Sequence, residues 1–216
     1  RQHLVGIGKI GRCRNNEQKR CCFAGGGHKE DDPLRTTLIH HLACIDAAWR
    51  IGWHDDAGKG GPVDAVHVIV LQGAGKGFCS GYDLKEFAET PGANAGVQDM
   101  PWDPMRDYRF MKACTDHFSS LWRSYKPTIA KVHHVAVAGG SDIALACDFV
   151  IMEEDARIGY PPARVWGCPT TAMWVYRLGA EKAKRMLLTG DLVTGREAKE
   201  MGLVLDAVEP ALLEER

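Results

Sequence analysis

The stretch that decides the fold is Ala136-Val137-Ala138-Gly139-Gly140-Ser141-Asp142-Ile143-Ala144-Leu145-Ala146-Cys147-Asp148. The β-branched apolar run Thr128–Val132 leads into it, and Asp148–Met152 leaves it as a second strand. Strand, glycine turn, helix and strand in that order indicate an α/β fold with crossover connections. An earlier stretch repeats the pattern. The run Val66–Leu71 feeds the turn Gly73-Ala74-Gly75-Lys76-Gly77-Phe78-Cys79-Ser80-Gly81-Tyr82-Asp83-Leu84, which also opens into helix-compatible sequence. Such turns can aim backbone N–H groups into one cleft. Two converging donors are what a reaction needs if it builds negative charge on a carbonyl oxygen. On their glycines alone, both turns read equally well as ordinary strand–helix connections.

Working outward, Arg106–Tyr125 reads as a long helix, with Phe110, Cys114, Phe118, Leu121 and Trp122 on one side. Pro91–Pro104 carries Gly, Asn, Asp and three prolines, so an irregular loop is expected there. Thr37–Ile51 has Leu38, Leu42, Ile45 and Trp49 at helical spacing, and His54–Pro62 is a Gly/Asp/Lys loop. Near the end, Thr194-Gly195-Arg196-Glu197 is a capping box that opens a short helix, and Gly202 can close it. Residues 1–35 are rich in Arg, Lys, Gly and Asn with little apolar periodicity. They form an atypical N-terminal segment ahead of a core spanning 36–216.

The bulk numbers exclude several classes. The chain of 216 residues, with 45% hydrophobic and 25% charged residues, suits one domain with a sizeable core. A formal net charge of −1 supplies no global field for nucleic acid. No apolar run reaches the roughly 20 residues of a membrane span, and no signal-peptide pattern opens the chain, so a cytoplasmic setting is the default expectation. Cys79, Cys114, Cys147 and Cys168 sit among apolar neighbours, as buried free thiols do. Cys13, Cys21, Cys22 and His28 cluster loosely but lack the paired C-x2-C spacing of a zinc site. Gly6-Ile7-Gly8-Lys9-Ile10-Gly11 fits G-x-G-x-x-G, with Asp31 and Asp32 about 20 residues on. Cys13–Gly27 has no amphipathic helix to complete that dinucleotide fingerprint. Gly73–Lys76 is no P-loop, since neither Ser nor Thr follows the Lys.

The two glycine turns together resemble a known family. The first is similar to the G-A-G-x-x-F-C-(A/S)-G-x-D-L segment of the enoyl-CoA hydratase/isomerase (crotonase) superfamily. The second is similar to its A-x-x-G-G-x-(E/D)-(I/L)-A-L-x-C-D segment. Downstream, Leu187-Leu188-Thr189-Gly190-Asp191, Ala198-Lys199 and Met201-Gly202-Leu203-Val204 match the L-T-G-(D/E)…A…G-L-V stretch. The resemblance covers about Val66 to Val208. It implies a crotonase-like spiral of ββα units with flanking helices, C-terminal helices shortened here, and a homotrimer or dimer of trimers. It also implies a coenzyme A thioester as substrate, no further cofactor and no metal.

Carried onto this chain, the resemblance places the oxyanion-hole N–H donors on Tyr82 and Gly139. Asp142 falls at the position of a catalytic Glu and could hold a water or move a proton. It reads equally as a first-turn carboxylate answering the helix dipole. The second family carboxylate is absent. Ile158-Gly159-Tyr160-Pro161-Pro162-Ala163-Arg164 puts Pro162 at that position, where it can contact substrate but cannot transfer a proton. Arg164 is permanently charged and is no base. Tyr160, His133 or His134 are alternatives for a second acid, although the His pair reads more readily as surface or packed side chains. His134 stands where the family often has Gly.

The CoA thioester would pass Cys79, Ser80 and Gly81. Lys76 and Lys85 would meet phosphates or, equally well, only solvent. Trp102, Met105 and Phe110 would line the acyl group or, for Phe110, the core. The expected activity is hydration of a 2-enoyl-CoA, a lyase reaction. Isomerisation, dehydration, thioester hydrolysis and non-catalytic acyl-CoA binding are the alternatives.

Overall fold

The computed structural model describes residues 67–73, 76–81, 98, 100–165 and 171–215. The 1–35 segment, the Thr37–Ile51 helix, the His54–Pro62 loop, the Gly6–Gly11 motif and the loose Cys13–His28 cluster lie outside them.

Two sheets and a set of helices alternate along the chain. The strands are β1 (Ile69–Gln72), β2 (Thr128–Val132), β3 (Val135–Val137), β4 (Phe149–Glu153), β5 (Arg157–Gly159), β6 (Leu192–Thr194) and β7 (Asp206–Val208). The helices are α1 (Pro104–Trp122), α2 (Gly139–Ala146), α3 (Ala172–Thr189) and α4 (Gly195–Met201). One sheet has the order β1-β2-β4-β7, all parallel, with Ile69 opposite Thr128 and Ala130 opposite Val150. The other has the order β3-β5-β6, with β3 and β5 parallel and β6 antiparallel.

The chain visits the sheets in turn. β2 belongs to the first sheet, β3 to the second, and α2 follows; β4, β5 and α3 repeat the sequence. The first round has β1, then the single bridge residue Cys79 pairing with Ala136 of β3, then α1. This is the expected spiral of ββα units. The strands of the second sheet are only three residues long, so no period-2 pattern announces them in the sequence.

The core lies between the sheets and the helices. Ile69, Leu71, Ala130, Val132, Val150 and Met152 contribute from the first sheet. Cys114, Phe118 and Leu121 contribute from α1, whose bounds fall slightly N-terminal of the expected Arg106–Tyr125. Asp103 sets that start, because its side chain accepts the Met105 N–H at 2.9 Å and Pro104 opens the helix. Trp122, expected on the buried side, is half-exposed and meets Tyr176 edge-on at 4.7 Å. α2 is enclosed, with all eight of its residues buried.

The capping box is present as read. The Thr194 side chain accepts from the Glu197 N–H, the Glu197 carboxylate accepts the Thr194 N–H at 2.7 Å, and Gly202 closes α4 at φ 84°. α3, by contrast, has no expectation behind it. Gly179, at φ 72° and ψ 169°, breaks the helix and with it the apolar period. Among the described residues, no helix is long and apolar enough to cross a membrane.

Candidate active site

The site is assembled by pairing. The Cys79 N–H donates to the Val135 carbonyl and the Val137 N–H donates to the Cys79 carbonyl, both at 3.0 Å. Val137 lies in register with Gly159, and the Ala138 N–H donates to the Gly159 carbonyl at 3.2 Å. Three segments therefore run side by side and end together. They are Cys79 to Gly81, Ala138 to Gly140, and Gly159 to Pro162. The carboxyl ends of parallel strands are where α/β folds bind ligands, because the turns there face outward with their N–H groups uncommitted.

Close packing fixes the turns on one another. A Cβ on Gly140 would lie 2.2 Å from the Cys79 carbonyl oxygen, so only glycine fits. Gly81 adopts φ 97°, and a Cβ there would lie 2.8 Å from the Ala138 Cβ and 3.5 Å from the Gly139 nitrogen. Ala138 itself takes φ 53° and ψ −129°, a left-handed conformation that costs a non-glycine residue on the order of 1–3 kcal/mol. Its carbonyl accepts the Ser141 N–H at 2.9 Å, the Ser141 hydroxyl at 2.7 Å and the Asp142 N–H at 3.2 Å. α2 thus begins sharply at Gly139. The N–H groups of Gly139 and Gly140 precede the first i→i−4 bond and have no acceptor within the helix.

Asp142 sits in this first turn, 4% exposed. The Cys79 thiol stands close by, and its pKa is pushed up to about 12. Burial is the largest cause. The Gly81 N–H works against it, and the negative charge of Asp142 adds to it. Cys79 is therefore a neutral wall rather than a nucleophile. Ser80 is exposed and Gly81 buried beside it.

The remaining candidates separate. Tyr82 and Lys85 lie outside the described residues. Pro162 is half-buried in the one-turn 3-10 helix Pro161–Arg164, directly after the buried Tyr160 at the same end of the sheet as Gly139. His133 and His134 lie before β3, at its opposite end, about 13 Å of extended chain from Ala138. His134 has φ 53° and its N–H donates to the Glu153 carboxylate at 2.9 Å. It occupies a glycine-type turn and holds a strand exit, so the pair plays no part in the cleft.

Arg164 is committed elsewhere, donating to the Thr189 carbonyl at 2.6 Å and to Asp191 at 3.1 Å. Phe110 is half-buried against the core, while Trp102 is 46% exposed just ahead of α1, and Lys76 is exposed. Among the described residues, no three His, Cys, Asp or Glu side chains come together to hold a metal.

Some residues show roles that the sequence reading missed. Asp148, the last residue of the second motif, is structural. Its carboxylate accepts the Thr128 N–H at 2.7 Å and the Thr128 hydroxyl at 2.9 Å, tying the start of β2 to the start of β4. Arg177 of α3 donates to carbonyls at the end of α2. Nothing in the local sequence of either residue announces these contacts.

A profile of the family described as enoyl-CoA hydratase/isomerase matches residues 63–216. The chain belongs to the enoyl-CoA hydratase/isomerase family. It is 34% identical over 152 residues to the (E)-benzylidenesuccinyl-CoA hydratase of Thauera aromatica, covering 68% of this chain and 54% of that protein. It is 32% identical over 143 residues to the mitochondrial enoyl-CoA hydratase of Pongo abelii, covering 65% and 44%. Its fold matches the crystal structure of an enoyl-CoA hydratase from Mycobacterium smegmatis with a TM-score of 0.66 and 43% identity, covering 84% of this chain and 60% of that one. The chain spans about half the length of the curated relatives it matches.

Proposed function

We propose that this protein is an acyl-CoA-processing enzyme that adds water to a 2-enoyl-CoA. The observation that carries this reading is the parallel bridge between Cys79 and Ala136. It sets the first glycine turn against the N-terminus of α2, where two backbone donors can meet one carbonyl oxygen. The Gly139 N–H and the Tyr82 N–H would hold the thioester oxygen as it becomes an enolate, each stabilising the charge by about 2.7–4 kcal/mol. Asp142 would accept a proton from water as the oxygen attacks Cβ, and return that proton to Cα. The net change is H and OH across the double bond, with the carboxylate regenerated.

In this reading the CoA portion passes Cys79, Ser80 and Gly81 with Lys76 and Lys85 near its phosphates. Trp102, Phe110 and Pro162 border the acyl group. The thioester needs no further cofactor, because backbone donors polarise its carbonyl. A cytoplasmic homotrimer or dimer of trimers completes the reading.

Pro162 favours a second reading. With no second carboxylate on that segment, Asp142 could serve as the only proton carrier of an isomerase, taking a proton from Cα of a 3-enoyl-CoA and returning it at Cγ. One spectrophotometric experiment tests both. With crotonyl-CoA, loss of the conjugated enoyl absorbance by the full chain, absent in Asp142→Ala, is expected of a hydratase. With 3-hexenoyl-CoA, growth of that absorbance is expected of an isomerase. Binding of both esters without either change would overturn both readings.

A further inference from the structure

α2 carries Gly139 and Asp142 at its N-terminus, and its other end poses a problem that its own sequence does not solve. The helix is wholly buried and has no basic residue in its last turn. Its final carbonyls would face a low-dielectric interior without water, and a buried carbonyl left unpaired is costly. Some are satisfied locally. The Cys147 N–H donates to the Ala144 carbonyl at 3.2 Å, and the Cys147 thiol donates to the Ile143 carbonyl at 3.6 Å. The Leu145 carbonyl, and those of the two residues that follow the helix, are met from about 30 residues away in sequence. Arg177 Nε donates to the Leu145 carbonyl at 3.0 Å, while Nη2 donates to the Cys147 carbonyl and, at 3.5 Å, to the Asp148 carbonyl.

We infer that Arg177 is a positioning residue of the active site: from the C-terminus of α2 its guanidinium sets the axial placement of the helix whose first turn presents the Gly139 N–H and the Asp142 carboxylate. The inference rests on the functional reading above only for what the first turn does. Two features of the side chain support it. The guanidinium is planar and bonds several carbonyls at once in a fixed fork, which a lysine cannot do. Its charge lies at the negative end of the helix dipole, where a cation is favourable.

The other end of α2 is also fixed, by the contact between Gly140 and Cys79 and by the three bonds to the Ala138 carbonyl. A short rigid helix held at both ends moves as one body, so releasing one end shifts the other. A shift near 1 Å at reacting groups costs about 100-fold in rate.

The test uses the full chain with Arg177→Met and Arg177→Lys. Crotonyl-CoA turnover gives kcat and KM, and amide hydrogen exchange is followed at Ser141 and Asp142, with α4 as an internal reference. In Arg177→Met, exchange at Ser141 and Asp142 should rise about tenfold or more while α4 is unchanged, as expected for loss of hydrogen bonds to a charged group. kcat should fall about 10- to 100-fold with KM within about threefold. Added guanidinium should recover part of kcat, and Arg177→Lys should lie between.

Exchange at Ser141 and Asp142 equal to the wild type would overturn the inference. So would a uniform rise across the molecule including α4. If the wild type shows no turnover, the functional reading fails, and the exchange at Ser141 and Asp142 still decides the role of Arg177.

Discussion

Cys79 and Ala136 face each other as a lone parallel bridge, and that pairing is what joins the two glycine turns. A single residue stands in for the second strand of the first ββα unit. Because it is held by β3 on one side and overlain by Gly140 on the other, small changes there are transmitted to the first turn of α2.

Gly140→Ala tests that coupling. The new Cβ would meet the Cys79 carbonyl oxygen at 2.2 Å and its Cβ at 2.7 Å, both too close to be absorbed by a rotamer change. The bridge or the helix start must move. Urea denaturation should show a loss of about 1–3 kcal/mol or more, and turnover should fall with it. Gly202→Ala is the contrast. It has φ 84° but nothing within 4 Å, so it should cost only the conformational penalty, about 1–2 kcal/mol, with turnover of the folded enzyme unchanged. Equal effects on turnover would contradict the coupling.

Pro162→Glu would put a carboxylate where the family resemblance expects the second one. Pro162 is half-buried at the same sheet end as Gly139, in a segment whose neighbours Tyr160 and Arg164 are anchored. If hydration is limited by having one proton carrier, the variant should hydrate crotonyl-CoA faster, by up to about 100-fold as a positioned general acid–base supplies. Unchanged hydration together with isomerisation of 3-hexenoyl-CoA by the wild type would favour the single-carboxylate reading instead.

How far the sequence carried depended on the range of each interaction. β2 is found over Thr128–Val132, as its β-branched run indicates, and the α4 capping box is a three-residue relationship complete within itself. Gly139 and Asp142 are legible because turn and helix start are local. α3 was hidden because Gly179 interrupts its period, and the three-residue strands were hidden because alternation needs more length to show. Arg177 and Asp148 were illegible as anchors, since their partners are 30 and 20 residues away. An isolated Arg or Asp in a sequence says nothing about which carbonyl or hydroxyl it will reach.

Asp148→Ala should separate structure from chemistry. Asp148 closes the second motif, as Asp142 sits in its helix's first turn, yet its carboxylate accepts from Thr128, whose side chain and N–H are buried, and its charge also favours the Arg177 guanidinium. Removing the carboxylate leaves two buried donors unpaired, at about 1–3 kcal/mol each. The urea midpoint should drop accordingly, while the folded fraction keeps its kcat. Asp142→Ala should do the reverse, holding stability within about 1 kcal/mol while turnover falls about 100-fold or more. The same ranking of both variants in both assays would reject this division.

Alkaline stability should follow the buried thiols. Burial is the main cause that pushes Cys79 and Cys147 from 9.0 to about 12. Each thiol keeps its proton in the folded chain at pH values where the unfolded chain has lost it. The contribution is therefore complete below pH 9 and is lost as pH rises from 9 toward 12, since deprotonation pulls the equilibrium toward the unfolded state. For each thiol the slope can reach about 1.4 kcal/mol per pH unit. Cys147→Ala removes one of the two titrations. Urea midpoints measured from about pH 8 upward should fall less steeply in the variant than in the wild type once pH passes 9, because lysines and tyrosines common to both cancel. Parallel curves would mean that the Cys147 proton is released equally easily in both states, contrary to its enclosure against α2.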